Sequence, residues 1–275
     1  MFYKIGIIEN MNEYGSLNLK TTREFTQEEY TKYVKTVDYL ALHLKNKHLY
    51  ELIVRNGEEL EKFLETFKDE NPTPATLENP GNILFEANRL LMNYLSMLRT
   101  YNDLIPSALS KTLNSDVKKE FEKILSKMYD DFFEFRFLIR LRNYAQHFNI
   151  PFTSIIPGYD GLQVAINQRE LLKYSGWSAV KEEIEEMEEA IVMDGFAHTM
   201  NKIMKEVFVL TTKFYIKYIT DSGEWISSLQ KEVGGEELVL VYSYSEELFE
   251  EGNVKFSIMQ SPDYIEAMDE LKRLS

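Results

Sequence analysis

From Phe121 to His147 the chain reads FEKILSKMYDDFFEFRFLIRLRNYAQH, and how this stretch coils decides the fold. Phe121, Ile124, Leu125, Met128, Phe132, Phe135 and Ile139 recur at spacings of three and four. At ~100° per residue they fall within about 40° of one line, which predicts one long helix with a core-facing stripe. Continued past Ile139, that line meets Arg142 at about −60°, Asn143 at about +40°, Gln146 at about −20° and His147 at about +80°. The buried face is therefore expected to turn polar at its C-terminal end. Left unpaired in a core, polar groups cost roughly 1–3 kcal/mol each, so these four should either satisfy one another or line a wet pocket.

Working outward, Asn114 or Ser115 should start this helix, with Asp116 in its first turn, and Pro151 forbids its continuation. Before it, Leu84, Ala87, Leu91, Tyr94, Leu98, Tyr101 and Ile105 form the seam of a second helix, which Pro106 should stop. The two make a helical hairpin. After the motif, Phe152 to Ile156, Pro157-Gly158 and Leu162 to Asn167 read as a short β excursion. Ser175 or Ser178 should then cap a helix through Met193, broken by Asp194-Gly195. Met200, Ile203, Val207, Phe214 and Tyr218 give the inner face of a fourth long helix. A bundle of at least four helices over 82–220 is the expectation.

The segment 71–81 holds Pro72, Pro74 and Pro80 and reads as a linker. Residues 1–70 read as a small α+β unit with strands near 2–9 and 16–24 and a helix opened by the capping box Thr26-Gln27-Glu28-Glu29. A strand from Leu49 to Arg55 and a helix from Glu58 to Phe67 complete it. Residues 221–275 carry expected strands near Leu238 to Ser243 and Val254 to Gln260, then a helix from Asp263 to Leu274. Both flanks bear strands, so they are expected to share one sheet. The fold class is mainly α, a helical bundle with small α+β appendages at both ends.

With no cysteine, the chain has no disulfide, no thiol nucleophile and no Cys-ligated metal, in keeping with a reducing compartment. The first residues read as a strand and not a signal peptide, and no apolar window is long enough to span a bilayer. A cytoplasmic protein without a membrane partner is expected. A net charge of −14 opposes non-specific binding to nucleic acid but leaves a local basic site open. Glu182, Glu183, Glu185, Glu186, Glu188 and Glu189 surround Ile184, Met187 and Ile191, as a solvated helix face or a docking surface for a basic partner.

Arg142-Asn143-Tyr144-Ala145-Gln146-His147 places a polar residue after an arginine and a histidine shortly beyond, at the end of a bundle helix. This resembles the signature of the HEPN superfamily, helical-bundle proteins of bacterial toxin–antitoxin, abortive-infection and CRISPR systems. The resemblance implies a HEPN-like bundle over 82–220. It also implies a metal-independent endoribonuclease of a toxin or phage-defence system, whose active site forms when two motifs meet in a homodimer. Arg142 and His147 would be catalytic and Asn143 would orient them. The partners would be a second copy, single-stranded RNA and an antitoxin or defence protein, with no cofactor and no metal.

The residues support such chemistry on their own. Cutting RNA without metal needs a base for the ribose 2′-OH, an acid for the 5′-oxygen and positive charge near phosphorus. Histidine titrates in the useful range, and arginine offers a planar fork to phosphate oxygens. Arg136 and Arg140 follow the flank of His147 and, with Gln146, are the candidate RNA-binding residues. One histidine serves two proton transfers poorly, so a second copy would help. The rivals are a non-catalytic HEPN-like module binding a nucleotide or partner, and a structural bundle whose dimer interface the Arg–Asn–His cluster holds. His198 has Lys202 and Lys205 on its side, and His43 and His48 lack a partner at ligand spacing, so none reads as a metal ligand. Gly234-Gly235 reads as a turn and not a phosphate loop.

Overall fold

A computed structural model describes residues 1–11, 17–66, 79–158, 161–235, 237–259 and 261–274. The chain is mainly helical. It begins with strands β1 (Phe2–Met11) and β2 (Leu17–Glu24), then helices α1 (Gln27–Glu65), α2 (Pro80–Thr112), α3 (Ser115–Asp131) and α4 (Phe133–His147). Strands β3 (Phe152–Gly158) and β4 (Gly161–Asn167), helix α5 (Gln168–Leu172), a 3₁₀ segment (Ser175–Val180), helix α6 (Lys181–Glu185) and strand β5 (Ala190–Val192) follow. Helices α7 (Phe196–Thr212) and α8 (Ile216–Val233), strand β6 (Leu238–Ser243), helix α9 (Glu246–Glu250), strand β7 (Lys255–Ile258) and helix α10 (Ser261–Leu274) complete the chain.

Two compact units divide this order. One comprises Met1–Leu44 with Thr212–Ser275, the other Lys45–Thr211. In the first, the two ends of the sequence share an antiparallel sheet in the order β2-β1-β6-β7, as their strand patterns predict. Tyr3 stands opposite Tyr242 and Ile5 opposite Leu240, so alternate residues of β1 and β6 build one apolar face. α8 ends at Gly234, whose φ of 81° is the left-handed conformation that glycine adopts without a steric cost.

The second unit packs α2, α3, α4 and α7 with the C-terminal half of α1 and a small sheet in the order β3-β4-β5. Asn79 caps α2 and Pro80 opens it. Asn114 caps α3 through its side chain, which accepts from Asp116 N and Val117 N at 3.0 Å each.

Several sequence expectations give way. Leu49 to Arg55 is not a strand but the middle of α1, which runs 39 residues from the Thr26 capping box. Asn46, Ile53, Gly57, Leu60 and Leu64 are buried at helical spacing, and that continuous stripe outweighs the strand preference of Ile53-Val54. Pro106 does not stop α2. It lies inside the helix with Ile105, Ala108 and Leu109 buried around it, and their burial offsets the roughly 3 kcal/mol that an interior proline costs. The helix expected from Ser175 through Met193 is a 3₁₀ segment and the short α6, because Ser178 takes a φ of 52° and Ala190–Val192 pairs with β4 instead. The Gln168 side chain donates to the carbonyls of Ile184 (2.8 Å) and Met187 (2.7 Å) where α6 ends. The fourth long helix is two, α7 and α8, and Tyr218 is exposed.

The stretch 121–147 is also two helices. Phe132 takes an extended conformation (φ −123°, ψ 120°) between α3 and α4. Residues 71–78 of the expected linker, with Ser16, Phe67 and Gln260, lie outside the described residues.

Candidate functional site on helix α4

The break at Phe132 rotates everything after it. Within α4 the buried side chains Phe137, Leu138, Leu141 and Tyr144 cluster within about 60° of Leu141, and the buried Phe135 of the first turn lies about 120° away. Arg142, Asn143, Gln146 and His147 then lie about 100° to 160° from that direction. The core face therefore does not turn polar, as the unbroken helix predicted. It continues through Leu141 and Tyr144, and the motif occupies the opposite face.

An aromatic stem fixes the inner face. Trp177 stacks on Phe137 (centroids 5.9 Å) and on Tyr144 (5.7 Å), and Tyr174 meets both Tyr144 and Trp177 edge-on. The indole N–H of Trp177 donates to the Leu171 carbonyl at 2.6 Å, so the fully buried ring keeps its polar atom satisfied. Burial raises the pKa of the Tyr144 phenol above its ordinary value, and the charge of Glu170 adds to the shift.

The outer face is open. Arg142 and Asn143 are half-buried, and Arg142 Nη1 donates to Asn143 Oδ1 at 3.2 Å. Arg142 Nε is buried without a hydrogen-bond partner among the described residues. Gln146 and His147 are exposed, and Phe148 and Ile150 beside them are 49% and 55% exposed. An apolar margin thus adjoins the four polar side chains.

The two further arginines differ. Arg136 Nε donates to Glu183 at 2.9 Å and Nη2 to its other oxygen, while Nη1 donates to the carbonyls of Tyr129 and Asp130 at 3.2 Å each. Arg136 therefore caps the C-terminal end of α3 and anchors α6, and its donors are committed. It does not serve as the free RNA contact expected from its flank position. Arg136 beside Glu183 holds that carboxyl below the usual carboxylate range. Arg140 donates only Nε, to Tyr129 Oη at 3.3 Å, and its two Nη groups make no hydrogen bond among the described residues.

A cleft of about 590 Å³ lies elsewhere in this unit, between α1 and α7. Glu58, Lys62 and Glu65 line one wall, His198, Lys202 and Lys205 the other, and His198 is exposed with the two lysines beside it, as its helix position predicts. The Glu61 carboxylate accepts from the backbone N–H groups of Gly195 (3.2 Å), Ala197 (2.9 Å) and His198 (3.1 Å), and so caps α7. Sequence reasoning missed Glu61. Its one signal is Gly195, which immediately precedes α7 and has no side chain with which to cap it. At Gly57 a Cβ would stand 2.6 Å from Asn201 Nδ2, and this close approach lets Asn201 bond Tyr94 Oη (2.9 Å) and the Val54 carbonyl (3.2 Å).

His43 lies in the other unit, fully buried, with Nδ1 3.4 Å from Tyr215 Oη and Nε2 3.4 Å from a Glu270 carboxylate oxygen. That carboxylate comes from α10, far beyond any local spacing. Among the described residues no three His, Asp or Glu side chains converge as metal ligands, and no helix is long and apolar enough to cross a membrane. Compared with protein-family models, curated proteins and solved structures, the chain matches none significantly.

Proposed function

We propose that this chain is a metal-independent endoribonuclease whose active site forms where the α4 outer faces of two copies meet. The observation that carries the reading is the joint display of Arg142, Asn143, Gln146 and His147 on one solvent-facing side of a helix whose other side is locked by aromatic stacking. The exposed Phe148 and Ile150 supply an apolar margin for a second copy to cover. The toxin or defence setting, with an antitoxin or defence partner, rests on the HEPN resemblance of the Arg142–His147 motif.

In this reading the imidazole of His147 takes the proton of the ribose 2′-OH as that oxygen attacks phosphorus, and His147 of the partner subunit gives a proton to the departing 5′-oxygen. The products are a 2′,3′-cyclic phosphate and a 5′-OH. Arg142 forks onto the non-bridging oxygens, where charge builds at the pentacoordinate stage. Asn143 orients Arg142 through the Nη1–Oδ1 hydrogen bond. The uncommitted Nη groups of Arg140 and the amide of Gln146 hold the flanking backbone.

The test is cleavage of single-stranded RNA in excess EDTA. The expected result is cutting that survives chelation, leaves 2′,3′-cyclic ends and stops when the nucleotide at the cut site is 2′-deoxy. An absolute need for Mg²⁺ or Mn²⁺, or cleavage of DNA, would overturn the mechanism. Saturable nucleotide binding without cleavage would point to a non-catalytic module instead.

A further inference from the structure

A second site belongs to the other unit and draws on none of the α4 residues. Tyr30, Tyr33, Val34, Val37 and Asp38 fall at i, i+3, i+4, i+7 and i+8 along the first half of α1, the spacing of a core-facing stripe. Opposite them the sheet presents Tyr3 and Tyr242, cross-strand neighbours on β1 and β6, with Leu240 and Ser257 alongside. Helix and sheet meet where Tyr30 stacks on Tyr3 but do not close along their whole length. They leave a cavity of about 360 Å³, within the range of small-molecule sites.

Four tyrosines surround the space, and Asp38 is the one charged side chain among its lining residues, which also include Met1 with its α-ammonium. Tyr3 stacks on Tyr30 with centroids 4.2 Å apart, and Tyr242 lies 6.4 Å from Tyr3 at a tilt of 43°, so ring surfaces meet the cavity in more than one orientation. Tyr3 Oη donates to Met1 Sδ at 3.3 Å, which turns that hydroxyl aside. Burial raises the Tyr3 and Tyr33 phenols, which keeps them neutral. Asp38 is exposed at the rim and Val34 is 41% exposed, so the space is reached from solvent.

Aromatic faces carry negative potential, and a carboxylate adds to it. An anion is repelled by both. A neutral apolar molecule would use Val37, Leu240 and the ring faces but would leave Asp38 without a partner. A small metal ion finds a single carboxylate where it needs several oxygen ligands. A weakly hydrated cation with methyl groups uses every wall. We propose that the cavity between α1 and the β1–β6 face binds a methylated ammonium group, its methyls against the tyrosine rings and its charge toward Asp38. A free quaternary amine and a trimethylated lysine side chain share this chemistry.

Calorimetric titration of the full chain with three probes tests it: choline, its neutral isostere 3,3-dimethylbutan-1-ol, and N-acetyl-trimethyllysine amide. At least one cation should saturate and bind at least about tenfold tighter than the alcohol, since cation–π and charge terms of this size separate otherwise isosteric ligands. The tighter cation identifies the source. Asp38→Asn removes only an exposed charge and should weaken the cation about three- to tenfold while leaving the alcohol unchanged. Tyr242→Phe should retain binding and Tyr242→Leu should lose roughly tenfold, with circular dichroism confirming that both variants fold. Equal affinity for cation and alcohol, no saturation by either cation up to about 50 mM, or an Asp38→Asn variant that binds choline unchanged would each overturn the proposal.

Discussion

The two ends of α4 use the same kind of residue in opposite ways. At its start, Arg136 gives its guanidinium to Glu183 and to two carbonyls at the end of α3. At its end, Arg142 makes one side-chain hydrogen bond among the described residues, to its neighbour Asn143, and His147 faces solvent. Charge at the first end ties helices together, while at the second end it is left largely uncommitted. The Trp177 stem between them holds the open end at a fixed angle. An arginine's chemistry on this helix thus follows from what the fold leaves within its reach, and position on the helical wheel does not decide it.

The strongest way to break the contrast is to remove the stem. Trp177→Ala should cost about 3–5 kcal/mol in urea unfolding and take RNA cleavage with it, because the outer face loses its support. A smaller loss, about 1–2 kcal/mol, is expected for Arg136→Gln, which frees Glu183 and the α3 carbonyls. The sign of its pH dependence follows from the depressed Glu183 carboxyl. That stabilisation is complete above the unfolded value near 4.3 and is lost as pH falls through the lower folded value. The gap between wild type and variant should therefore be constant near neutrality and narrow below about pH 4, as chemical denaturation at several pH values would reveal. Cleavage by Arg136→Gln should persist at neutral pH.

The least effect on folding belongs to His147→Ala, within about 0.5 kcal/mol of wild type by the same unfolding measurement. Cleavage should fall at least about 100-fold. A His147→Ala variant that loses several kcal/mol would place the motif in the structure and not in the chemistry.

Much of this arrangement was legible in the sequence where local signals were strong. The Asn114 cap, the pairing of β3 with β4 and the sheet joining both chain ends follow from capping residues and alternating apolar strands, although Pro157 and Gly158 belong to β3 itself, opposite Leu162 and Gly161. The break at Phe132 was not. No glycine or proline marks it, and Phe132, Phe135 and Ile139 continue the helical phase of α3 across it. The motif's residues could therefore be recognised while the face they occupy was misjudged by nearly half a turn. The Glu61 cap and the Glu270 neighbour of His43 were illegible for another reason, since each is brought to its site by tertiary packing across more than 130 residues. The tyrosine cavity was illegible too, because spacing alone does not reveal whether a stripe closes along its length on what it faces.

The central claim is that two α4 outer faces meet, and the absence of cysteine makes it directly measurable. A Gln146→Cys variant carries a single exposed thiol on the motif face, and a Lys123→Cys variant carries one on α3 as a control. A disulfide forms only where two Cα atoms come within about 7 Å, so mild oxidation reports proximity between copies. Gln146→Cys should convert to a covalent dimer at micromolar concentration while Lys123→Cys stays monomeric on a denaturing gel. A Gln146→Cys protein that cuts RNA but never cross-links beyond the control would contradict the composite site.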